Sequence, residues 1–171
     1  MKNIILIGFM GVGKGSIARE LMKHSSYVAI DTDDLIESME NRRIKKIFEN
    51  EGEAYFRKLE KSVAAWLENS VSNTLISTGG GFYKQKNLKK IGIIVLLDSP
   101  FDEIIKRIKE HPNAAKKLKK RPLLADLKKA KKLYDERRPE YLKLADVVVD
   151  VTKKSAEASS RELLKKVKKH A

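Results

Sequence analysis

A chain of 171 residues with 42% hydrophobic side chains has the length of one domain and enough apolar material for a core, which excludes a disordered tail. It holds no cysteine, so disulfide scaffolds, thiolate zinc sites and thiol nucleophiles are excluded, and no stretch approaches the ~18 apolar residues of a membrane span. The net charge of +14 is one-sided: residues 1–83 carry 11 basic and 11 acidic side chains, residues 84–171 carry 26 and 12, and a basic half suggests an anionic partner.

In chain order, the first strand is expected at Asn3–Ile7. Its apolar run is four residues long, shorter than the ~7–15 of a secretory signal core, so a cytoplasmic protein is expected. Ile17, Ala18, Leu21 and Met22 then recur at helical spacing, and a second strand is expected at Val28–Ile30. Phe56, Leu59, Val63, Trp66 and Leu67 predict a core-packing helix over 53–69, followed by a strand at Thr74–Ser77. A strand at Ile93–Leu97 precedes a helix marked by Phe101, Ile104, Ile105 and Ile108. His111–Arg121 breaks the alternation with Pro112 and a run of lysines, and reads as a lid able to close on phosphates. A last strand is expected at Asp146–Val151, then a helix holding Leu163, Leu164 and Val167. Strands without polar alternation are buried on both faces, so the reading is an α/β fold with a parallel sheet between helices. Ligands in such folds sit at the carboxyl ends of the strands.

The segment Gly8-Phe9-Met10-Gly11-Val12-Gly13-Lys14-Gly15-Ser16 follows a strand and opens a helix, the setting of a P-loop. Its glycines let backbone N–H groups turn toward an anion at a helix N-terminus, and Lys14 would reach the β- and γ-phosphates. The pattern departs at Gly15. A Ser or Thr usually follows the lysine and offers its hydroxyl to Mg²⁺; here the first hydroxyl comes one residue later, on Ser16. A water can take the position, Ser16 can shift toward it, or activity is impaired. The reading adopted is that a carboxylate and waters hold Mg²⁺.

The second strand ends in Asp31-Thr32-Asp33-Asp34. Strand alternation would point Asp31 and Asp33 to one side, one to bind Mg²⁺ through water and the other to hold an acceptor hydroxyl. Asp34 fits an N-cap for a helix beginning near Leu35. Arg57 suits bidentate binding of a carboxylate, and Glu60, on the same face, could hold it; a plain surface pair fits equally well. Gly79-Gly80-Gly81 permits close backbone approach to a ligand. Arg121-Pro122-Leu123 closes the basic segment, and Arg137-Arg138-Pro139-Glu140-Tyr141 is read as following a helix.

These motifs, in this order over nearly all 171 residues, resemble the shikimate kinase family of P-loop kinases. The resemblance implies a three-layer α/β/α fold with a five-stranded parallel sheet. It implies one domain over 1–171, a lid at about 111–123 and a shikimate-binding region at about 33–60. The implied reaction phosphorylates the 3-hydroxyl of shikimate with ATP, with Mg²⁺ as cofactor. ATP would be bound by Gly11, Val12, Gly13, Lys14, Gly15 and Ser16, with Arg107 near the adenine and Arg121 reaching the transferring phosphoryl. Asp33, Lys14 and Arg121 would be catalytic, and Asp31 and Ser16 would hold the metal. Arg57 and Arg137 would grip the substrate carboxylate, oriented by Glu60, beside the backbone of Gly79, Gly80 and Gly81 and walled by Phe48 and Phe56. ATP and shikimate are the expected partners of a monomer. The Asp-Thr-Asp and Phe-Arg motifs argue against a gluconate-kinase-type acceptor. Aromatic content of 6% and the lack of a stacking pattern argue against a nucleic-acid module.

Overall fold

The structure, a computed structural model, describes residues 2–170. Five strands form one sheet: β1 (Asn3–Ile7), β2 (Val28–Asp31), β3 (Thr74–Ser77), β4 (Gly92–Asp98) and β5 (Val147–Asp150). All neighbouring pairs are parallel, in the order β2-β3-β1-β4-β5. The helices are α1 (Lys14–Lys23), α2 (Thr32–Glu40), α3 (Ile44–Ser70), α4 (Leu88–Ile91), α5 (Phe101–Glu110), α6 (Ala114–Lys119), α7 (Leu127–Leu144) and α8 (Ala156–His170).

The central strands are apolar because both their faces are covered. All five residues of β1 are buried, and Ile5 sits in register between Ile76 of β3 and Ile94 of β4. The sheet's start is pinned by one polar side chain. Asn3 is buried, donates to the carbonyls of Val71 (2.8 Å) and Ile91 (3.0 Å), and accepts from the Thr74 N–H (2.9 Å). Its hydrogen-bonding capacity is thus used at a place without water. Strand order reverses beside β1, which has β3 on one side and β4 on the other. The crevice at such a reversal is where open α/β sheets bind ligands, and the P-loop leaves β1 at that end.

Burial on both faces does not extend to the edges. No residue of β2 is fully buried, and β5 alternates between buried and exposed, because each edge strand lacks a neighbour on one side. Met22 and Trp66, grouped by spacing with core residues, are 36% and 46% exposed, at the rim of their helices' apolar stripes. The helix expected over 53–69 is the longer part of α3. Gly52 breaks α3 with φ 82° and ψ 177°, and the helix continues back to Ile44. Pro139 does not stop a helix either, and Arg137–Tyr141 lies inside α7 rather than after it. Tertiary bonds on both sides of Pro139 hold α7 together: Tyr134 donates to the Ser99 carbonyl (2.8 Å), and Tyr141 donates to the Gly80 carbonyl (3.0 Å).

Candidate active site

Backbone geometry builds the phosphate end. Gly13 is the N-cap of α1 at φ 106°, a conformation that favours glycine, and it turns the chain from β1 into the helix. Lys14 begins α1 and folds its ammonium back onto the Gly8 carbonyl (2.6 Å) and the Phe9 carbonyl (3.3 Å). Burial lowers its pKa to about 8, against the opposing pull of Asp31 and Asp33. Arg107, on α5, donates to the carbonyls of Val12 and Gly11 and so braces the loop from the side. Arg121 lies close enough to Lys14 to act on its charge, and its Nη1 donates to the Lys117 carbonyl at 2.9 Å. The segment 111–123 is therefore not a bare loop. It carries α6 and leads into a 3₁₀ turn at Pro122–Ala125.

The aspartates arrange themselves differently from the strand expectation. Asp31 ends β2 and is itself the N-cap of α2, where Oδ1 accepts from the N–H groups of Asp33 (2.9 Å) and Asp34 (3.2 Å). Asp34 is therefore not the cap, and α2 begins at Thr32 rather than near Leu35. Asp33 stands in the first helical turn, so strand alternation does not relate it to Asp31. The first carboxylate that can cap ends the strand, because capping satisfies two otherwise orphaned N–H groups at once. The other Asp31 oxygen accepts from the Ser77 hydroxyl at 2.8 Å, tying β2 to β3. Asp33 faces inward beside Lys14. Burial first, then Asp31 and Glu60, raise its pKa to about 7.

The glycine run after β3 is the meeting point. A methyl group on Gly79 would collide with the Asp33 carboxylate. One on Gly80 would lie 2.8 Å from Arg137 Nη1, and one on Gly81 2.5 Å from Arg57 Nη1. Each glycine thus leaves room for one charged side chain from a different helix: α2, α7 and α3. The run is held in place by Thr32 Oγ1, which accepts from the Gly79 N–H (3.0 Å), and by the Tyr141 hydroxyl on the Gly80 carbonyl. Arg57 is fixed by two carboxylates, Glu60 (2.6 Å) and Glu53 (3.0 Å). Glu60 is 1% exposed, so this is no plain surface pair. Burial raises the Glu60 pKa and Arg57 opposes it. Phe48 and Phe56 stack across the Gly52 break with ring centres 4.8 Å apart, beside Arg57. A crevice with cations at one end, a carboxylate in the middle and two arginines at the other suits transfer between a polyphosphate and an acid-bearing alcohol.

Comparison with known proteins decides the family. The family model for shikimate kinase matches residues 10–168. The chain belongs to the shikimate kinase family. A shikimate kinase of Helicobacter hepaticus is 36% identical over 167 residues, covering 98% of this chain and 94% of its own. The solved shikimate kinase from Acinetobacter baumannii, in complex with shikimate, superposes with a TM-score of 0.85 at 30% identity, over 99% of this chain and 94% of that one. A gluconokinase from Sinorhizobium meliloti, at 13% identity and TM-score 0.55, shares the fold alone.

Of the motif residues, Asp33, Arg57 and Arg137 meet at Gly79–Gly81, and Lys14, Asp31, Glu60 and Arg121 lie near enough to act on one another's charge or on Asp33. Sequence reading passed over Glu53, Ser77 and Thr32, which fix Arg57, Asp31 and Gly79. For Glu53 a signal was available, since it stands four residues before Arg57 on the same helix. A cavity of about 570 Å³ lies elsewhere, between α5 and α7, lined by Asp98, Tyr134 and Asp150 among others; of the motif residues it takes only Arg138 and Pro139, from the face of α7 turned away from Arg57 and the glycine run.

Proposed function

We propose that this chain transfers the γ-phosphoryl group of ATP to the 3-hydroxyl of shikimate, giving shikimate 3-phosphate and ADP. The observation that carries the reading is the glycine run 79–81, which brings Asp33, Arg137 and Arg57 around one small space. Arg57 and Arg137 grip the substrate carboxylate, and Glu60 and Glu53 keep the Arg57 fork in one orientation. Gly79, Gly80 and Gly81 line the ring with backbone, and Phe48 and Phe56 form its apolar wall. That grip turns the acceptor hydroxyl toward Asp33. With its pKa near 7, Asp33 accepts a hydrogen bond from the hydroxyl and can take its proton as the oxygen attacks.

On the nucleotide side, Gly11, Val12, Gly13, Gly15 and Ser16 present the loop and the first turn of α1 to the phosphates. Lys14 exchanges its loop carbonyls for phosphate oxygens, Arg107 stands toward the adenine side, and Arg121 brings lid charge to the transferring group. Phosphoryl transfer asks for positioning and charge neutralisation more than covalent chemistry, and this set supplies both. No group of three or more metal-ligating side chains occurs among the described residues. The donor set still suits Mg²⁺ arriving with the nucleotide, because Asp31 and Ser16 are hard oxygen donors at the phosphate end. When bound, the ion neutralises charge on the β- and γ-phosphates.

No described helix is long and apolar enough to cross a membrane. A cytoplasmic monomer acting on two small molecules completes the reading. The test is ADP release with and without shikimate, with the product identified by mass spectrometry. Release that ignores shikimate would overturn it.

A further inference from the structure

The chain has nine arginines. Arg42, Arg43, Arg57, Arg138 and Arg161 each lie within ion-pair distance of a carboxylate. Among the described residues, Arg19, Arg107, Arg121 and Arg137 do not. Guanidinium groups left without a counter-charge mark anion sites when they cluster, and the last three already belong to the crevice. Arg19 belongs to no motif, yet it stands one turn past Gly15 on α1. Its Nη1 is 3.5 Å from where a Gly15 side chain would begin, and its Nη2 donates to Ser16 Oγ at 3.4 Å. The space left by the missing hydroxyl therefore has a guanidinium at its border, and beyond the adjoining residues and backbone of its own helix no other atom lies within 4 Å.

The segment 111–123 adds a second cation. Lys117 lies on α6, where the Arg121 guanidinium bonds its carbonyl. Burial lowers the Lys117 pKa, and the charges of Arg121, Arg107 and Arg19 lower it further, so all three guanidiniums act on the Lys117 ammonium. Lys14, Arg19 and Arg107 thus contact the P-loop and the first turns of α1, and Arg121 and Lys117 lie near enough to act on their charge.

We propose that Arg19 binds the nucleotide's polyphosphate and supplies, beside Gly15, part of the positive charge that hydroxyl-held Mg²⁺ supplies when Ser or Thr follows the P-loop lysine. The inference rests on the kinase reading, because it needs a nucleotide over the P-loop. A guanidinium is always charged and offers a planar fork of donors, so it can hold phosphate oxygens that the metal holds less firmly here. Lys117 meets the same phosphates from the lid. The nucleotide affinity of this protein then depends on Arg19 and only weakly on the metal.

The test is calorimetric titration with ADP, without shikimate, once with Mg²⁺ and once with EDTA. It compares the wild-type chain, Arg19→Ala, Gly15→Ser and the double variant. Wild-type affinity is expected to differ less than about threefold between Mg²⁺ and EDTA, and Arg19→Ala to weaken ADP about tenfold in EDTA, or about 1.4 kcal/mol. Arg19 is exposed and makes one long hydrogen bond, so thermal melting should show an unchanged fold. In the Gly15→Ser background with Mg²⁺, Arg19→Ala should cost less than about threefold, because the restored hydroxyl holds the metal. Equal ADP affinity of wild type and Arg19→Ala in EDTA overturns the proposal. So does an undiminished loss in the Gly15→Ser background with Mg²⁺. Since the titration contains no shikimate, failure of shikimate-dependent turnover in the wild type is a separate outcome, which overturns the kinase reading itself.

Discussion

Burial and two neighbouring carboxylates raise the Asp33 pKa to about 7, so the native state is strained whenever that group is ionised. Between pH 4 and 7 the native carboxyl keeps its proton while the unfolded one has lost it. Stability contributed by Asp33 therefore falls as pH rises through that window, by at most ~4 kcal/mol. Asp33→Asn is expected to abolish phosphoryl transfer while leaving ADP binding intact. In the ligand-free protein it should also raise Tm, by a margin that grows from pH 4 to 7 and then levels. Melting curves across pH check the second outcome, and a constant margin would contradict the cause given. Gly81→Ala tests the grip at the same scale. Its methyl would meet the far end of the Arg57 side chain, while the Gly81 backbone, at φ −100°, accepts any residue. The expected result is a shikimate KM raised about tenfold or more with ADP affinity close to wild type, and a lowered Tm, because Arg57 Nη1 is also the partner of buried Glu60. The Gly79 and Gly80 positions carry the same logic for Asp33 and Arg137. A spacing argument sees three glycines in a row; only the folded chain shows that each makes room for a different helix's charge.

Among the elements, α3 shows how one residue shapes a wall of the site. Gly52 sits at φ 82° with open space around it, so adding a methyl strains the backbone without hitting a neighbour. Gly52→Ala should cost about 1–3 kcal/mol, the penalty for a positive φ with extended ψ that glycine alone adopts readily, seen as a lower Tm. Since Phe48 and Phe56 meet across this break, the shikimate KM should rise with it. At the opposite end of the sheet, Asn3→Ala would leave the Thr74 N–H and two carbonyls without partners in a buried place. A loss of ~2–4 kcal/mol is expected in urea melts, with kcat unchanged in the surviving native fraction. Helix α7 teaches the reverse lesson about local rules. Proline removes one bond from the helix interior, yet hydroxyl and guanidinium anchors on either side of Pro139 keep α7 in place: Tyr134, Tyr141, and Arg138 on Asp98 (2.7 Å).

Over the whole molecule, +14 is a load that the fold carries unevenly. Residues 101–140 hold 14 basic and 7 acidic side chains, and this stretch includes the segment 111–123 that carries α6. Self-repulsion of that kind is screened by salt. Raising NaCl from ~20 to ~300 mM should therefore raise Tm. Inorganic phosphate at equal ionic strength should raise it further, because the cations around α1 form a seat rather than a diffuse cloud. Equal effects of chloride and phosphate in a thermal-shift series would show that no such seat exists.

By itself the sequence determined the alternation of strands and helices, the P-loop, the glycine run and the family, since these depend on short spacings and on the order of motifs. The central strands were legible because burial on both faces writes an unbroken apolar run. The same signal misleads at β2 and β5, because edge position is a property of the assembled sheet. The assembled fold alone shows which aspartate caps α2, that Pro139 lies within a helix, and which helix's charge each glycine of 79–81 accommodates. Each of these is an interaction between segments distant along the chain, or a choice among equivalent local partners, and local spacing carries no information about either.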